Sequence, residues 1–223
     1  MYFPVLLPNI FNHPFTYQSE LKLKAGDYVK VPFGKSLITG VVWNHFEPKS
    51  NKKFEIKSIT KKIDIEPLKV ETVKFLNWFS EYNLVPKGMS LKLHLLRGDA
   101  VSYLDKEEYE KYNKINKTKK FTLSSEQSKI LIELLKKTNK FRVHLLQGTT
   151  GSGKTIVYFK AIEEKLKKGL QALILLPEIG LTGEFEKKFN EFFGFSAAVW
   201  HSGITSKRKK IIWSGLATGK IKV

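Results

Sequence analysis

The sequence predicts two joined folds: a small amino-terminal β-barrel-like domain, then the first part of a parallel α/β domain built around a phosphate loop. Three observations carry this. Short runs of Val, Ile and aromatic residues, separated by turn residues, fill residues 1–60. From residue 121 onward, segments of strand and helix period alternate. Between one such strand and helix stands Gly148-Thr149-Thr150-Gly151-Ser152-Gly153-Lys154-Thr155, which fits the pattern G-x-x-x-x-G-K-[ST] at every fixed position.

In the amino-terminal part, strands are predicted over 2–7, 28–31, 37–43 and 54–59. Turn signals separate them at Pro8-Asn9, Ala25-Gly26-Asp27, Pro32-Phe33-Gly34-Lys35 and in the loop 48–53. A barrel packs so many short strands without leaving edges. A helix follows over 66–82, with Pro67 in its first turn and Val70, Val73, Phe75, Leu76, Trp78, Phe79 and Tyr82 forming one apolar stripe. A shorter helix over 90–96 is ended by Gly98. The first domain is therefore 1–99, β-rich over 1–63 and helical over 64–99. Residues 100–120 are polar, charged and aperiodic, and read as a linker.

The second domain is 121–223. Its first helix, 125–137, opens on Ser124 with Gln127 three residues later, the spacing of a capping box. Strand 143–147, the loop and helix 154–168 come next, the helix stopped by Gly169. Strand 171–176, helix 182–193, strand 195–200 and a helix over 206–216 follow, and 220–223 starts another strand. Such alternation predicts a parallel sheet with right-handed crossovers.

Composition narrows the function classes. The 223 residues are 42% hydrophobic and 27% charged, in the globular range. No apolar run reaches the ~18 residues of a membrane span, so no membrane partner is expected. The start lacks the basic segment of a secretory signal, and the absence of Cys excludes disulfides and thiolate metal ligands from this chain. The net charge of +18 suits a polyanionic partner. Only three of the 39 basic residues are Arg, however, a bias that an AT-rich genome also produces.

The phosphate loop has a direct chemical reading. Gly148, Gly151 and Gly153 let backbone approach phosphate oxygens without a Cβ in the way, and a helix N-terminus adds about half a positive charge. Lys154 reaches the terminal phosphates and Thr155 ligates Mg²⁺, with Thr149, Thr150 and Ser152 completing the cradle. Hydrolysis also needs an acid at the end of another strand. The last Asp is Asp105, ahead of the loop; of the later glutamates only Glu178 follows an apolar strand, with Pro177 between. The expectation is an amino-terminal piece of a longer ATPase, without turnover of its own.

Three further blocks lead to a family. They are Leu175-Leu176-Pro177-Glu178-Ile179-Gly180-Leu181-Thr182; His201-Ser202-Gly203-Ile204-Thr205, followed by Arg208 and Trp213; and the pair Pro14-Phe15-Thr16-Tyr17 and Val31-Pro32-Phe33-Gly34-Lys35. With the phosphate loop they resemble the PriA family, the superfamily 2 helicases of bacterial replication restart, over nearly the whole chain. The resemblance implies a DNA-binding domain followed by an incomplete RecA-like lobe, with ATP and Mg²⁺ at Gly148 to Thr155. It implies a cytoplasmic, nucleoid-associated bacterial protein acting on forked DNA, single strands and 3′ ends, with primosome proteins and single-stranded-DNA-binding protein as partners.

By position, the resemblance gives Gln127 an adenine contact, beside its capping role. It gives Pro177, Glu178 and Thr182 a place against a DNA backbone, where Thr182 equally suits a helix cap. His201 and Ser202 begin the next DNA-side motif, with a structural His as the alternative. Phe15, Thr16, Tyr17, Gly34 and Lys57 form the pocket for a 3′ end, with barrel core as the rival for Phe15 and Tyr17. Thr16 stands where the family usually has an acid, and Gly183-Glu184 replaces the usual Pro-Gln. The segment 100–120 is too short for the family's winged helix. The paired helicase acids, the second lobe and the zinc-binding cysteines are not in this sequence, so zinc is expected only in the missing part. Two other functions compete with the ATP-driven 3′-to-5′ helicase: a fork-end binding module without a motor, and an unrelated phosphate-loop kinase.

Overall fold

β1 (Tyr2–Leu6) organises the amino-terminal part because both of its faces are apolar. Leu6 points to one side with Tyr28, Val41 and Trp43, while Val5 and Leu7 point to the other with Val29, Val31 and Val42. This is the period-two consequence of the pleat. The computed structural model describes residues 1–44, 55–96, 100–103, 108–109, 112, 118–136, 141–177 and 182–223. The expected turn at 48–53, the helix stop at Gly98, and Glu178 lie outside them.

β1 pairs antiparallel with β2 (Phe15–Gln18) and β4 (Ser36–Val42); β4 pairs with β3 (Tyr28–Phe33), and β3 with β5 (Lys61–Lys62). The order β2-β1-β4-β3-β5 is an open sheet, which corrects the expected barrel. Closure fails because β2 and β5 share no ladder. Residues 57–59 meet β2 through one bridge, Gln18 to Ser58, and the chain then crosses to β3, where Thr60 N–H donates to the Lys30 carbonyl at 2.8 Å. The strand expected over 54–59 is thus replaced by that bridge and the short β5. Asp27, fully buried at the β3 entry, accepts from Lys24 N–H at 2.8 Å and pairs with Lys62 at 2.9 Å, tying β5 to the turn before β3.

Helices α1 (Val70–Tyr82) and α2 (Lys87–His94) cover the Leu6 face; α1 starts later than expected but ends at Tyr82 as expected, and α2 is shifted toward the amino terminus. The α1 stripe splits in two. Val73, Leu76 and Ser80 are buried, whereas Phe75, Trp78 and Tyr82 form a second, exposed row in which Trp78 stacks on Tyr82 at 5.2 Å. Sequence periodicity does not tell one wide apolar face from two narrow ones.

By packing, the chain forms two units, Met1–Lys106 with Ile204–Thr218, and Glu107–Gly203 with Gly219–Val223. In the first, a 3₁₀ turn (Ala100–Tyr103) and α6 (Ser206–Ala217) join the β-rich part. Trp213 meets Tyr28 and His94 edge-on at 6.2 and 6.0 Å.

Among the described residues of the second unit, α3 (Ser125–Leu135), α4 (Lys154–Lys167) and α5 (Thr182–Phe193) are the α-helices. The core is largely phenylalanine: Phe159, Phe189, Phe192 and Phe193, with Phe121 and Phe195 beside them. The segments expected as strands, 143–147, 171–176 and 195–200, carry no regular secondary structure and no ladder among the described residues. Single bonds stand in its place: Ala172 N–H to Lys222 O at 2.8 Å and Ala198 N–H to Val223 O at 2.9 Å. Val143, Leu145, Leu173 and Leu175 remain largely exposed. A strand exists only through its hydrogen-bonded neighbours, and an apolar run does not guarantee them.

His94 Nε2 lies 3.0 Å from the Tyr28 hydroxyl. Burial lowers the His94 pKa and raises that of Tyr28 above the usual phenol range. The unfolded chain therefore takes up a proton near pH 6.5 that the native state resists, so stability falls as pH drops through that value. His94→Gln should flatten the fall between about pH 7 and 5 in urea titrations. A slope unchanged by the substitution would remove His94 as its source.

Candidate functional site

The phosphate loop is an exposed turn leading into the first turn of α4. Gly151 and Gly153 have φ of 82° and 81°, the left-handed region that a Cβ disfavours. Gly153 is the N-cap of α4, so Lys154 and Thr155 occupy the first two helical positions. There the N–H groups have no partner within the helix and present a concentrated donor set to an anion. The Lys154 ammonium folds back on the loop, donating to the Gly148 carbonyl at 2.6 Å and the Thr149 carbonyl at 2.7 Å. Ser152 N–H closes the turn on Thr149 O at 3.2 Å.

Gln127 ties the loop to α3. Ser124 N–H donates to Gln127 Oε1 at 2.9 Å, and Gln127 N–H donates to Ser124 Oγ at 3.2 Å, so the capping box is present. The same amide also donates from Nε2 to the Ser152 carbonyl at 3.2 Å. An added Cβ on Gly153 would meet that nitrogen, the end of a flexible side chain that can move aside, so the left-handed φ is the main reason for glycine there. These residues fit a bound nucleoside triphosphate: an open glycine cradle, a cation at its floor, and a hydroxyl at Thr155 that can face a divalent ion.

Of the other positions named from the carboxy-terminal motifs, Pro177 is exposed, and Thr182 opens α5 with its side chain outside the described residues. His201 Nδ1 accepts from Gly203 N–H at 3.1 Å and so shapes its own turn; Ser202 is exposed beside it.

A second cluster surrounds β2. Phe15 is half-buried and meets Phe33 and Phe11 edge-on, both at 5.3 Å. Thr16 pairs with Pro4 and, by the pleat, faces away from Phe15 and Tyr17. Tyr17 is core: it is 4% exposed, its hydroxyl donates to the Pro32 carbonyl at 3.1 Å, and burial raises its pKa. Gly34, exposed with φ 59°, sits at the tip of the β3–β4 hairpin next to Phe33, with nothing within 4 Å of an added Cβ. Lys57 is exposed at the β2 edge, where its carbonyl accepts from Gln18 N–H at 3.0 Å. The structure thus places Phe15 beside Phe33 and the exposed Gly34 that follows it, takes Tyr17 out of that patch, and leaves Lys57 at the Gln18 end of β2. Phe11, His13 and Phe33 join the patch without having been singled out. Phe33 stood in a quoted motif, but the run around Phe11 and His13 has no periodicity to mark it.

Two family matches divide the chain. Residues 4–95 match the 3′ DNA-binding domain of PriA, and residues 120–223 match the family described as type III restriction enzyme, res subunit. Curated relatives agree along the length. The chain is 34% identical over 222 residues to the replication restart protein PriA of Rickettsia conorii, covering 98% of this chain and 33% of the relative. It is 30% identical over 211 residues to that of Helicobacter pylori, covering 94% and 31%. It is 40% identical over 100 residues to that of Bacillus subtilis, covering 44% and 12%. The chain spans about a third of the length of the relatives it matches end to end.

Gly153→Ala should lower stability by about 1–2 kcal/mol, because an L-residue resists that φ and its Cβ displaces Gln127. Gly183→Ala, in α5 with open space around it, should raise stability by about 0.5–1 kcal/mol. Urea denaturation followed by circular dichroism measures both; equal effects would deny Gly153 its special place.

Proposed function

This chain belongs to the PriA family of replication restart proteins, and from that premise we propose how its two parts work. It carries a 3′ DNA-binding domain and a helicase-type segment, and its role is DNA binding in replication restart. The amino-terminal unit binds DNA at a 3′ end, with Phe15, Gly34 and Lys57 contributing to that contact. The phosphate-loop segment is part of a RecA-like lobe that binds ATP with Mg²⁺ at Gly148 to Thr155. The whole protein is an ATP-driven 3′-to-5′ helicase that acts on stalled or repaired forks in the bacterial cytoplasm, with primosome proteins and single-stranded-DNA-binding protein. Among the described residues no helix is long and apolar enough to cross a membrane.

The observation that carries the nucleotide reading is Lys154 and Thr155 in the first turn of α4, behind a loop with two left-handed glycines. The chemistry ATP and Mg²⁺ supply when bound is phosphoryl transfer to water. This chain's own residues hold the phosphates at the loop amides, neutralise charge with Lys154 and offer the Thr155 hydroxyl to the ion. With no acid paired beside the loop among the described residues, residues 1–223 bind nucleotide without turnover.

A fork-end binding module is the second reading, supported by the lack of a ladder beside the phosphate loop among the described residues. Membership of the family leaves the kinase reading without support. Lys154→Ala separates the two that remain. On the motor reading it weakens binding of a fluorescent ATP analogue at least tenfold and leaves DNA affinity unchanged. If wild-type chain shows no nucleotide binding and the substitution changes nothing, the binding-module reading stands.

A further inference from the structure

A 3′ terminus differs from an internal nucleotide by one group, the free hydroxyl on its last sugar. Selecting it takes a surface for the terminal base and a polar partner for that hydroxyl. The aromatic patch on the amino-terminal unit supplies the surface in Phe11, Phe15 and Phe33. Tyr17 has its hydroxyl engaged in the core, and Thr16 faces the other side of β2.

His13 is the polar side chain placed within the patch. Its exposed ring lies 5.0 Å from Phe15 and 5.9 Å from Phe11, tilted by 49° to each. Its Nδ1 is 3.0 Å from the Pro14 carbonyl. A carbonyl only accepts, so Nδ1 carries the proton, and in the neutral ring Nε2 keeps its lone pair. Nε2 has no hydrogen-bond partner among the described residues. The loop that bears the ring is anchored: Asn9 Oδ1 accepts from Phe11 N–H at 2.9 Å, Asn12 Oδ1 from Lys87 N–H at 3.0 Å, and the Phe11 carbonyl from Gly88 N–H at 3.0 Å. Gly88 is required at that contact, since an added Cβ would stand 2.6 Å from the Asn9 and Leu7 carbonyls. The acceptor is therefore held in place before any ligand arrives.

We propose that His13 Nε2 accepts a hydrogen bond from the 3′-hydroxyl of a DNA strand whose last base stacks on the Phe11, Phe15 and Phe33 patch, making His13 a specificity-determining residue. This rests on the 3′-end reading given above.

The test compares fluorescent single strands ending in a 3′-hydroxyl or in a 2′,3′-dideoxy sugar, by anisotropy with the 223-residue chain. Wild type should prefer the hydroxyl end about five- to tenfold, the worth of one neutral hydrogen bond. His13→Ala should bring that ratio to about one by weakening only the hydroxyl end, and His13→Gln, whose amide oxygen accepts, should restore part of it. Phe15→Ala should weaken both ends alike. Discrimination that survives His13→Ala overturns the His13 role and leaves 3′-end binding standing. Equal loss for both ends in His13→Ala also overturns it, as a purely structural effect. A wild-type chain that binds both ends equally, or neither, overturns the 3′-end reading and the His13 role with it.

Discussion

The burial of β1 on both faces is the constraint on which the amino-terminal unit depends. Its two neighbours, β2 and β4, are held in register by a strand that cannot slip. A shift of one residue would move Leu6 out of the helical side and drive Val5 and Leu7 into it. Gly40 sharpens the fit, because an added Cβ there would lie 2.5 Å from Val5 Cγ1 and 2.8 Å from Leu7 Cδ2. Phe15 on β2 and the hairpin tip after β3 take their positions from that register. The aromatic patch is thus a consequence of the core, displayed at its rim.

The phosphate-loop unit is organised by a different economy of contacts. Gln127 closes the first turn of α3 and, with its remaining amide proton donor, holds the Ser152 carbonyl of the loop. Gly153 gives the left-handed entry to α4 and leaves room for that amide. The capping and loop-bracing roles belong to one side chain, and an adenine contact would be a third. Behind the loop, Phe159 meets Phe185, Phe189, Phe192 and Phe193 within 5.7 Å, which joins α4 to α5. The cradle rests on aromatic packing, whereas the segment before it has little apolar cover of its own.

Where sequence and structure part, the reason is nonlocal each time. Alternating apolar residues announced a β-rich first part, but whether the sheet closes depends on where residues 57–62 find partners, and they divide themselves between β2 and β3. The α1 period was correct and its single buried stripe was not, since Phe75, Trp78 and Tyr82 have no facing element among the described residues. The apolar runs 143–147 and 171–176 had the composition of strands and lack strand neighbours among the described residues. Phe11 and His13 entered the candidate site from an aperiodic loop, pinned by bonds to residues more than seventy positions away.

The sequence by itself determined the phosphate loop and its glycines, the Ser124 and Gln127 cap, the positions of most helices, and the family. These are local patterns: a turn that needs a left-handed residue, or a cap three residues long, is complete within one short stretch of chain. Tertiary structure alone decided that the sheet stays open, that Tyr17 is core while Phe15 lines the patch, that α6 packs with the amino-terminal unit, and that His13 stands among the aromatics. Each of these depends on which distant segment fills the space beside a residue, and no local pattern encodes that.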